Sequence, residues 1–122
     1  MTTAFWCVLI AGLLPYLATG IAKAGGGYDN RAPREWLARQ TGRSSRANAA
    51  QKNSFEAFPF FAAAVCVAAL AHAPQAKVDQ YAELFVAARV LYILAYVLDQ
   101  ALLRSLVWAV GIGSVIAIFF AA

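Results

Sequence analysis

Charged residues are scarce in this sequence. Asp, Glu, Lys and Arg make up 13% of the 122 residues, whereas hydrophobic residues make up 62%. A water-soluble domain usually has about 25% charged and about 45–50% apolar residues, and a chain of this length has too small an interior to bury the excess. The composition therefore excludes a disordered chain and an ordinary soluble globule. It predicts one membrane-embedded domain over residues 1–122.

Side chains that bind metals are also scarce. Cys7 and Cys66 both lie within apolar runs, and His72 is the only histidine. Two isolated cysteines lack the spacing of a zinc site and give no disulfide framework, and His72 has no second ligand nearby. We predict that the protein has no metal site and that both cysteines are small packing residues.

Four apolar runs are long enough to cross a bilayer, since a core of about 30 Å needs about 20 helical residues. The predicted spans cover about residues 2–23, 47–72, 78–98 and 102–121. The first run lacks a basic flank and a cleavage site before a polar chain, so we interpret it as a permanent helix rather than a secretory signal. Pro15 and Pro59 are predicted to bend the first two spans. Because the second and third connections are short, the sequence predicts an all-α, up-down-up-down membrane four-helix bundle.

The first connection, residues 24–46, carries most of the positive charge. Six of the ten cations lie in it or beside it: Lys23, Arg31, Arg34, Arg39, Arg43 and Arg46. A basic connection between apolar spans marks the cytoplasmic side, so we predict that both chain ends are non-cytoplasmic. The compact loops and the lack of targeting signals favour an integral protein of a bacterial inner membrane, with an endomembrane as the alternative. The placement of the cations argues against nucleic-acid binding. A short interfacial helix is predicted from Pro33, with Trp36 at the level of the lipid headgroups.

Several polar residues lie within the predicted spans, where lipid makes them costly unless they face a partner or a wet cavity. Their spacing places each set on one helix face: Arg46, Asn53, Glu56 and Phe60 on the second span, Arg89, Tyr92, Tyr96 and Asp99 on the third, and Arg104, Ser105 and Trp108 on the fourth. All three sets lie toward the cytoplasmic ends of their spans. We predict that they meet in one cationic recess with aromatic walls, suited to a small anionic molecule.

A structural interpretation of the same residues stays open. Glu56 could simply pair with Arg89 and hold the bundle together, and the tyrosines of the third span could be packing residues. A cation such as Lys52 can snorkel toward the membrane surface. A serine such as Ser105 can cap a helix or form a hydrogen bond between helices.

Three segments resemble the signatures of one family. The run RANAAQKNSFEAFPF at residues 46–60 is similar to the second-helix signature of the MAPEG family, the membrane-associated proteins in eicosanoid and glutathione metabolism. Its most specific element is Asn-x-x-Glu-x-Phe-Pro placed early in a span. Residues 88–96 and 103–108 resemble the third-helix and fourth-helix signatures, in the same order and with similar spacing. The resemblance covers essentially the whole chain.

The resemblance implies a homotrimer that binds glutathione between neighbouring protomers, near the cytoplasmic side. The implied activities are glutathione transfer to lipophilic electrophiles, glutathione peroxidase action and eicosanoid isomerisation. By position, the resemblance assigns Arg104, Ser105 and Tyr96 to catalysis at the thiol, and Lys52, Asn53, Glu56, Arg89 and Tyr92 to glutathione binding. It also implies that Arg89 pairs with Glu56.

Some positions depart from the prostaglandin-forming branch of that family. Ala49 stands where the branch has a glutathione-binding arginine, and Arg46, one turn earlier, is the candidate substitute. Tyr92 replaces a histidine, and Trp108 replaces a tyrosine. These departures argue against eicosanoid chemistry. Among the implied activities, the main hypothesis is transferase or peroxidase action on lipophilic electrophiles, with Arg104 stabilising the glutathione thiolate.

Two other classes of protein remain as alternatives. One is a non-catalytic MAPEG-like membrane protein that binds a thiol or a lipid. The other is a small proton-coupled multidrug exporter, a class with an essential glutamate in its first span, whereas residues 1–22 here contain no carboxylate side chain. Under the main hypothesis the partners are further copies of the chain, membrane lipid and a lipophilic small-molecule substrate.

Overall fold

The chain folds into five helices and no strand, in a computed structural model that describes all 122 residues. The helices are α1 (Thr3–Lys23), α2 (Pro33–Ala38), α3 (Gly42–Leu70), α4 (Gln75–Val97) and α5 (Ala101–Ala121). Each of the four long helices is long and apolar enough to cross a membrane. The all-α four-helix bundle predicted from the apolar runs is confirmed.

Helices α3 and α4 form the centre of the bundle. They contact each other, and each also packs against α1 and α5, which lie on opposite sides of the central pair. Fully buried alanines such as Ala18, Ala64 and Ala82 lie at the helix interfaces. Small side chains let helix backbones approach closely, which is the main source of attraction between helices in lipid.

The buried side chains form two clusters, one toward each end of the bundle. The cluster toward the α3–α4 turn contains the stacked rings of Phe61 and Phe85, whose centroids are 4.0 Å apart. The cluster toward the α4–α5 turn contains Leu14, Ile93 and Val97. Many large apolar side chains point outward, as lipid-facing surfaces require; on α1 they are Trp6, Leu9, Ile10, Leu13, Tyr16 and Leu17.

Both short turns end a helix with the same backbone motif. His72 (φ 56°) and Asp99 (φ 60°) adopt the left-handed conformation just beyond α3 and α4. In each case the N–H of the next residue donates to the carbonyl five residues earlier, at 3.0 Å for Ala73 and 2.8 Å for Gln100. This motif closes the last helical turn and reverses the chain. The second reversal brings the start of α5 alongside the end of α4.

Helix α2 forms where the sequence predicts a short helix from Pro33, and it packs against the bundle. Trp36 is only 7% exposed, and its ring packs edge-on against Tyr28 with centroids 5.1 Å apart. Leu37 beside it is also buried, and both belong to the cluster at this end of the bundle. Burying both side chains against packed apolar surface removes their apolar area from water. Helix α2 therefore closes this end of the bundle.

Helix α3 begins earlier than the span that the sequence predicts from residue 47. Its first residue is Gly42, and the hydroxyl of Ser44 donates to the carbonyl of Ala22 at the end of α1. This hydrogen bond ties the extra turn of α3 to a neighbouring helix terminus. Helices α1 and α3 both continue through their internal prolines, Pro15 and Pro59.

Candidate functional site

Two adjoining cavities lie between α3, α4 and α5. The larger one, of about 260 Å³, is lined by residues of all three helices: Asn53, Glu56, Ala57, Phe60, Phe85, Arg89, Trp108, Gly111, Ile112 and Val115. The smaller one, of about 200 Å³, is lined by Asn53, Tyr92, Arg104, Ser105 and Trp108. Because Asn53 and Trp108 line both cavities, we describe the two together as the recess. Six of the predicted site residues line it.

Arg89 is the buried cation of the recess. Its side chain is 3% exposed, and its Nη2 donates to Asn53 Oδ1 at 2.8 Å and to Ser54 Oγ at 3.4 Å. Its guanidinium carbon lies 4.0 Å from the centre of the Tyr92 ring. These contacts cross from α4 to α3, so Arg89 joins the two central helices at the depth of the recess.

Arg89 and Glu56 do not form the ion pair that the resemblance implies. The Arg89 guanidinium instead donates a hydrogen bond to the Asn53 side chain and packs on the Tyr92 ring. Asn53 lies one turn before Glu56 on the same face of α3. Glu56 is exposed on the wall of the larger cavity and accepts no hydrogen bond. Its carboxylate is therefore free to receive a positively charged group of a ligand.

Aromatic rings connect Arg89 to Arg104. The rings of Tyr92 and Tyr96 meet edge-to-face with centroids 5.8 Å apart, and the Arg104 guanidinium carbon lies 4.4 Å from the centre of the Tyr96 ring. The three α4 residues share one helix face because they are spaced by three and four, and the tight α4–α5 turn brings Arg104 to the same face. The result is a continuous series in which two tyrosines lie between two cations.

Arg104 is held in place but keeps its hydrogen-bonding capacity. Its guanidinium contacts the Tyr96 ring face and donates no hydrogen bond within the chain, although a guanidinium has five N–H donors. Ser105, the next residue, is exposed and lines the same cavity without a hydrogen-bond partner. The smaller cavity thus presents an unpaired cation and an unpaired hydroxyl side by side.

Three predicted site residues line neither cavity of the recess. Arg46 points to the end of α4, where Nε and Nη2 donate to the carbonyl of Val97 at 3.2 and 3.1 Å. That carbonyl is one of those that a helix C-terminus leaves without an intrahelical partner. Lys52 is exposed on α3 and lines neither cavity. Tyr96 lines neither cavity but supports Arg104.

The recess also contains residues that the sequence did not single out. Ser54 is buried and accepts a hydrogen bond from Arg89. Gly111 forms part of the wall, where an added Cβ would lie 3.7 Å from Arg89 Cδ. A signal was available for Gly111, because it follows Trp108 by three residues and therefore shares its helix face. Phe85 and Val115 continue the wall as apolar surface.

The arrangement suits a ligand that has both charged groups and an apolar part. Guanidinium groups bind carboxylates through paired, charge-assisted hydrogen bonds, and Glu56 supplies the opposite charge. The apolar wall at the other end suits a lipophilic group. No cluster of His, Cys, Asp and Glu side chains in the chain could hold a metal ion.

These features define a class of protein, the integral membrane four-helix bundles with a ligand-sized polar recess between their helices. A family model described as the MAPEG family matches residues 3–122, and the chain belongs to that family. No curated protein and no solved structure matches the chain. The family includes glutathione transferases and peroxidases as well as non-catalytic members. Its members generally use glutathione and are typically homotrimers in membranes.

Proposed function

We propose that this protein is a glutathione-dependent membrane enzyme that acts as a transferase or peroxidase on lipophilic electrophiles. The observation that carries the proposal is the unpaired Arg104 guanidinium beside the Ser105 hydroxyl, held on the Tyr96 ring at the wall of a cavity. Family membership supports glutathione as the cosubstrate.

The charges of the recess match those of glutathione, which has two carboxylates, one ammonium group and one thiol. The free Glu56 carboxylate suits the ammonium group, and Asn53 suits a peptide amide or a carboxylate. Arg89 adds positive charge from the buried side of the recess. The residues present therefore fit the tripeptide in both charge and hydrogen bonding.

Arg104 and Ser105 fit the chemistry of the thiol. A cysteine thiol has a pKa of about 8.5 and is mostly protonated at neutral pH. A neighbouring guanidinium favours the thiolate, and each unit by which the pKa falls corresponds to about 1.4 kcal/mol. The thiolate sulfur then attacks the electrophilic carbon and the leaving group departs with the bonding electrons. The hydroxyl of Ser105 or Tyr96 donates a hydrogen bond to the sulfur.

The lipophilic substrate reaches the sulfur along the apolar wall. Phe60 and Trp108 flank the larger cavity and are about half exposed, so the recess opens sideways toward lipid as well as toward the end of the bundle. A substrate dissolved in the bilayer then has no aqueous layer to cross.

A homotrimer is part of the proposal. Lys52 and Glu56 are exposed in the middle part of α3, where contact with acyl chains is costly for charged groups. A second protomer packed on this face would cover both side chains and close the open side of the recess. Membrane lipid would contact the remaining outer surface.

The test is a conjugation assay on purified protein in detergent, with glutathione and 1-chloro-2,4-dinitrobenzene. We expect Arg104→Ala to lower kcat/KM about 100-fold, the size seen when one catalytic charge-stabilising donor is removed. Arg104→Lys should lose less activity than Arg104→Ala, because lysine keeps the positive charge. It should still lose some activity, because lysine lacks the planar group that lies on the Tyr96 ring. Arg43→Ala, at an exposed arginine outside the recess, is the matched control. Undiminished turnover in Arg104→Ala would refute the catalytic role.

A non-catalytic, thiol-binding member of the family is the second candidate. Two observations favour it: Arg46 is occupied by the Val97 carbonyl, and Ala49 offers no polar group, so the recess has fewer cations than the resemblance implies. This candidate predicts glutathione binding by calorimetry with no conjugation and no reduction of cumene hydroperoxide. Ultraviolet absorbance of the thiolate on glutathione binding separates the two candidates.

A further inference from the structure

A third cavity lies toward the other end of the bundle. It has a volume of about 400 Å³ and lies between the first turns of α4 and the last turns of α5. Lys77 and Tyr81 form its α4 side, and Gly113, Ala117 and Phe120 belong to its α5 side. None of these residues lines the recess.

The cavity is a groove that runs along the helix axis. Its α5 wall extends from Gly113 to Ala121. At about 1.5 Å per residue this wall is about 12 Å long, which is close to half the thickness of a bilayer core of about 30 Å. A Cβ added at Gly113 would meet nothing within 4 Å, so the groove is open along its floor. Phe120 is 86% exposed and forms an outer wall. The groove therefore has the direction and length of an acyl chain in one leaflet.

A cation lies at the surface end of this groove. Lys77 is the third residue of α4, it is exposed, and its ammonium group has no hydrogen-bond or ion-pair partner within the protomer. The nearby acids of α4, Asp79 and Glu83, lie about 200° and 240° around the helix from Lys77. Asp79 faces α1, where its carboxylate accepts a hydrogen bond from the N–H of Ala4 at 2.8 Å. An anion beside Lys77 would thus meet no carboxylate from α4.

We infer that this groove binds an anionic phospholipid. One acyl chain lies along Gly113 and Ala117, and the headgroup phosphate pairs with Lys77. Lys77 is the only Lys or Arg between Lys52 and Arg89, so this end of the bundle has one side-chain cation with which to hold an anion. Tyr81 lines the groove close to Lys77, and tyrosine is enriched at the boundary between lipid and water. The site is separate from the recess and does not depend on glutathione chemistry.

The test compares two photoactivatable lipids with the same diazirine-bearing acyl chain, phosphatidylglycerol and phosphatidylcholine. The protein in detergent micelles is irradiated with each, and labelling of the last turns of α5 is read by peptide mass spectrometry. We expect phosphatidylglycerol to label this segment more strongly. Lys77→Gln should lower the ratio of the two labels about fivefold, the equivalent of about 1 kcal/mol for one cation near a lipid surface. The control Arg43→Gln, toward the other end of the bundle, should leave the ratio unchanged.

A second pair of variants tests the groove itself. Gly113→Leu fills the groove and should abolish labelling of the last turns of α5 by both lipids. Gly20→Leu is the matched control, because a Cβ there also meets nothing within 4 Å, and it should leave labelling intact. Equal labelling by the two lipids, a ratio unaffected by Lys77→Gln, or labelling that survives Gly113→Leu would each overturn the inference. Chain-to-chain cross-links at this segment in place of lipid labels would overturn it as well, because the groove would then be a protein interface.

Discussion

Helices α3 and α4 run through both ends of the bundle, but they place very different side chains between them at the two ends. Toward the α3–α4 turn, Phe61 and Phe85 stack with centroids 4.0 Å apart among small apolar residues. Toward the α4–α5 turn, the same helices bury Arg89 against Asn53 and an aromatic ring. At the apolar end, side-chain packing alone fills the interface between α3 and α4, whereas the polar end leaves the Arg104 guanidinium without a hydrogen-bond partner at the wall of a cavity. Packing therefore accounts for the interface between α3 and α4 at the first end, and the polar groups at the second end are arranged to hold a ligand under the proposed function.

We expect the largest effect from a substitution in the core of the apolar end. Phe61→Ala removes a fully buried ring and should lower the free energy of unfolding by about 3–5 kcal/mol, measured by thermal or chemical unfolding in detergent. Phe61 itself lines neither cavity of the recess, although its stacking partner Phe85 does, so glutathione binding per folded molecule should fall much less than stability. Phe55→Ala, at a ring that is 43% exposed, is the control and should cost much less. Equal losses in the two variants would contradict the assignment of the Phe61–Phe85 stack as the structural core.

The next largest effect is expected from removing a hydrogen-bond partner of the buried arginine at the polar end. Asn53→Ala leaves the buried Arg89 guanidinium without its shortest hydrogen bond and should cost about 2 kcal/mol, the usual range for a hydrogen bond to a charged group. Because Asn53 also lines both cavities, the glutathione Kd should rise in the same variant. The control is Asn48→Ala, the same substitution on the same helix, at a side chain that makes no hydrogen bond; it should cost much less stability. Equal stability of the two variants would show that Arg89 finds another partner.

At the polar end, the sequence predicted which side chains share a helix face, but it did not predict which side chains pair across the helices. Spacing by three and four correctly placed Arg89 and Tyr92 on one face of α4 and Asn53 with Glu56 on one face of α3. Asn53 and Glu56 differ by one turn, about 4.5 Å along the helix. Which of them meets Arg89 depends on how far α3 is displaced along its axis relative to α4, and that displacement is set by packing over the whole interface.

The same limit applies to Trp36 and Arg46. A tryptophan in a polar connection is typical of a membrane interface, and only the assembled bundle shows the apolar gap that Trp36 fills. Arg46 shares a helix face with Asn53, but α3 begins so far before the recess that its first turns lie beside the end of α4. Local patterns therefore predicted the spans and their polar faces, and long-range contacts decided the partners.

A smaller effect tests whether Arg46 belongs to the recess. Arg46 donates two N–H groups to the Val97 carbonyl at the C-terminus of α4, so Arg46→Gln should lower the free energy of unfolding by about 1 kcal/mol, the size of a cation's effect at a helix C-terminus. If Arg46 only caps α4, the glutathione KM should stay nearly unchanged. Arg43→Gln, at an exposed arginine on the first turn of α3, is the control for loss of charge. A large rise in KM with unchanged stability would restore Arg46 to the binding site.

The smallest effect compares the two turns that close the two ends. His72 and Asp99 both adopt positive φ, a conformation that costs most side chains about 1–2 kcal/mol and glycine almost nothing. Glycine at either position should therefore raise the free energy of unfolding, seen as an increase of a few degrees in Tm. His72→Gly should gain more, because aspartate tolerates the left-handed region better than most residues through local hydrogen bonds. Asp99→Gly also keeps the backbone reversal that brings Arg104 onto the Tyr96 ring, so kcat/KM should stay within about twofold, a change of about 0.4 kcal/mol in activation free energy. A larger loss of activity in Asp99→Gly would show that the Asp99 carboxylate takes part in the site, which its position beyond the end of α4 gives no reason to expect.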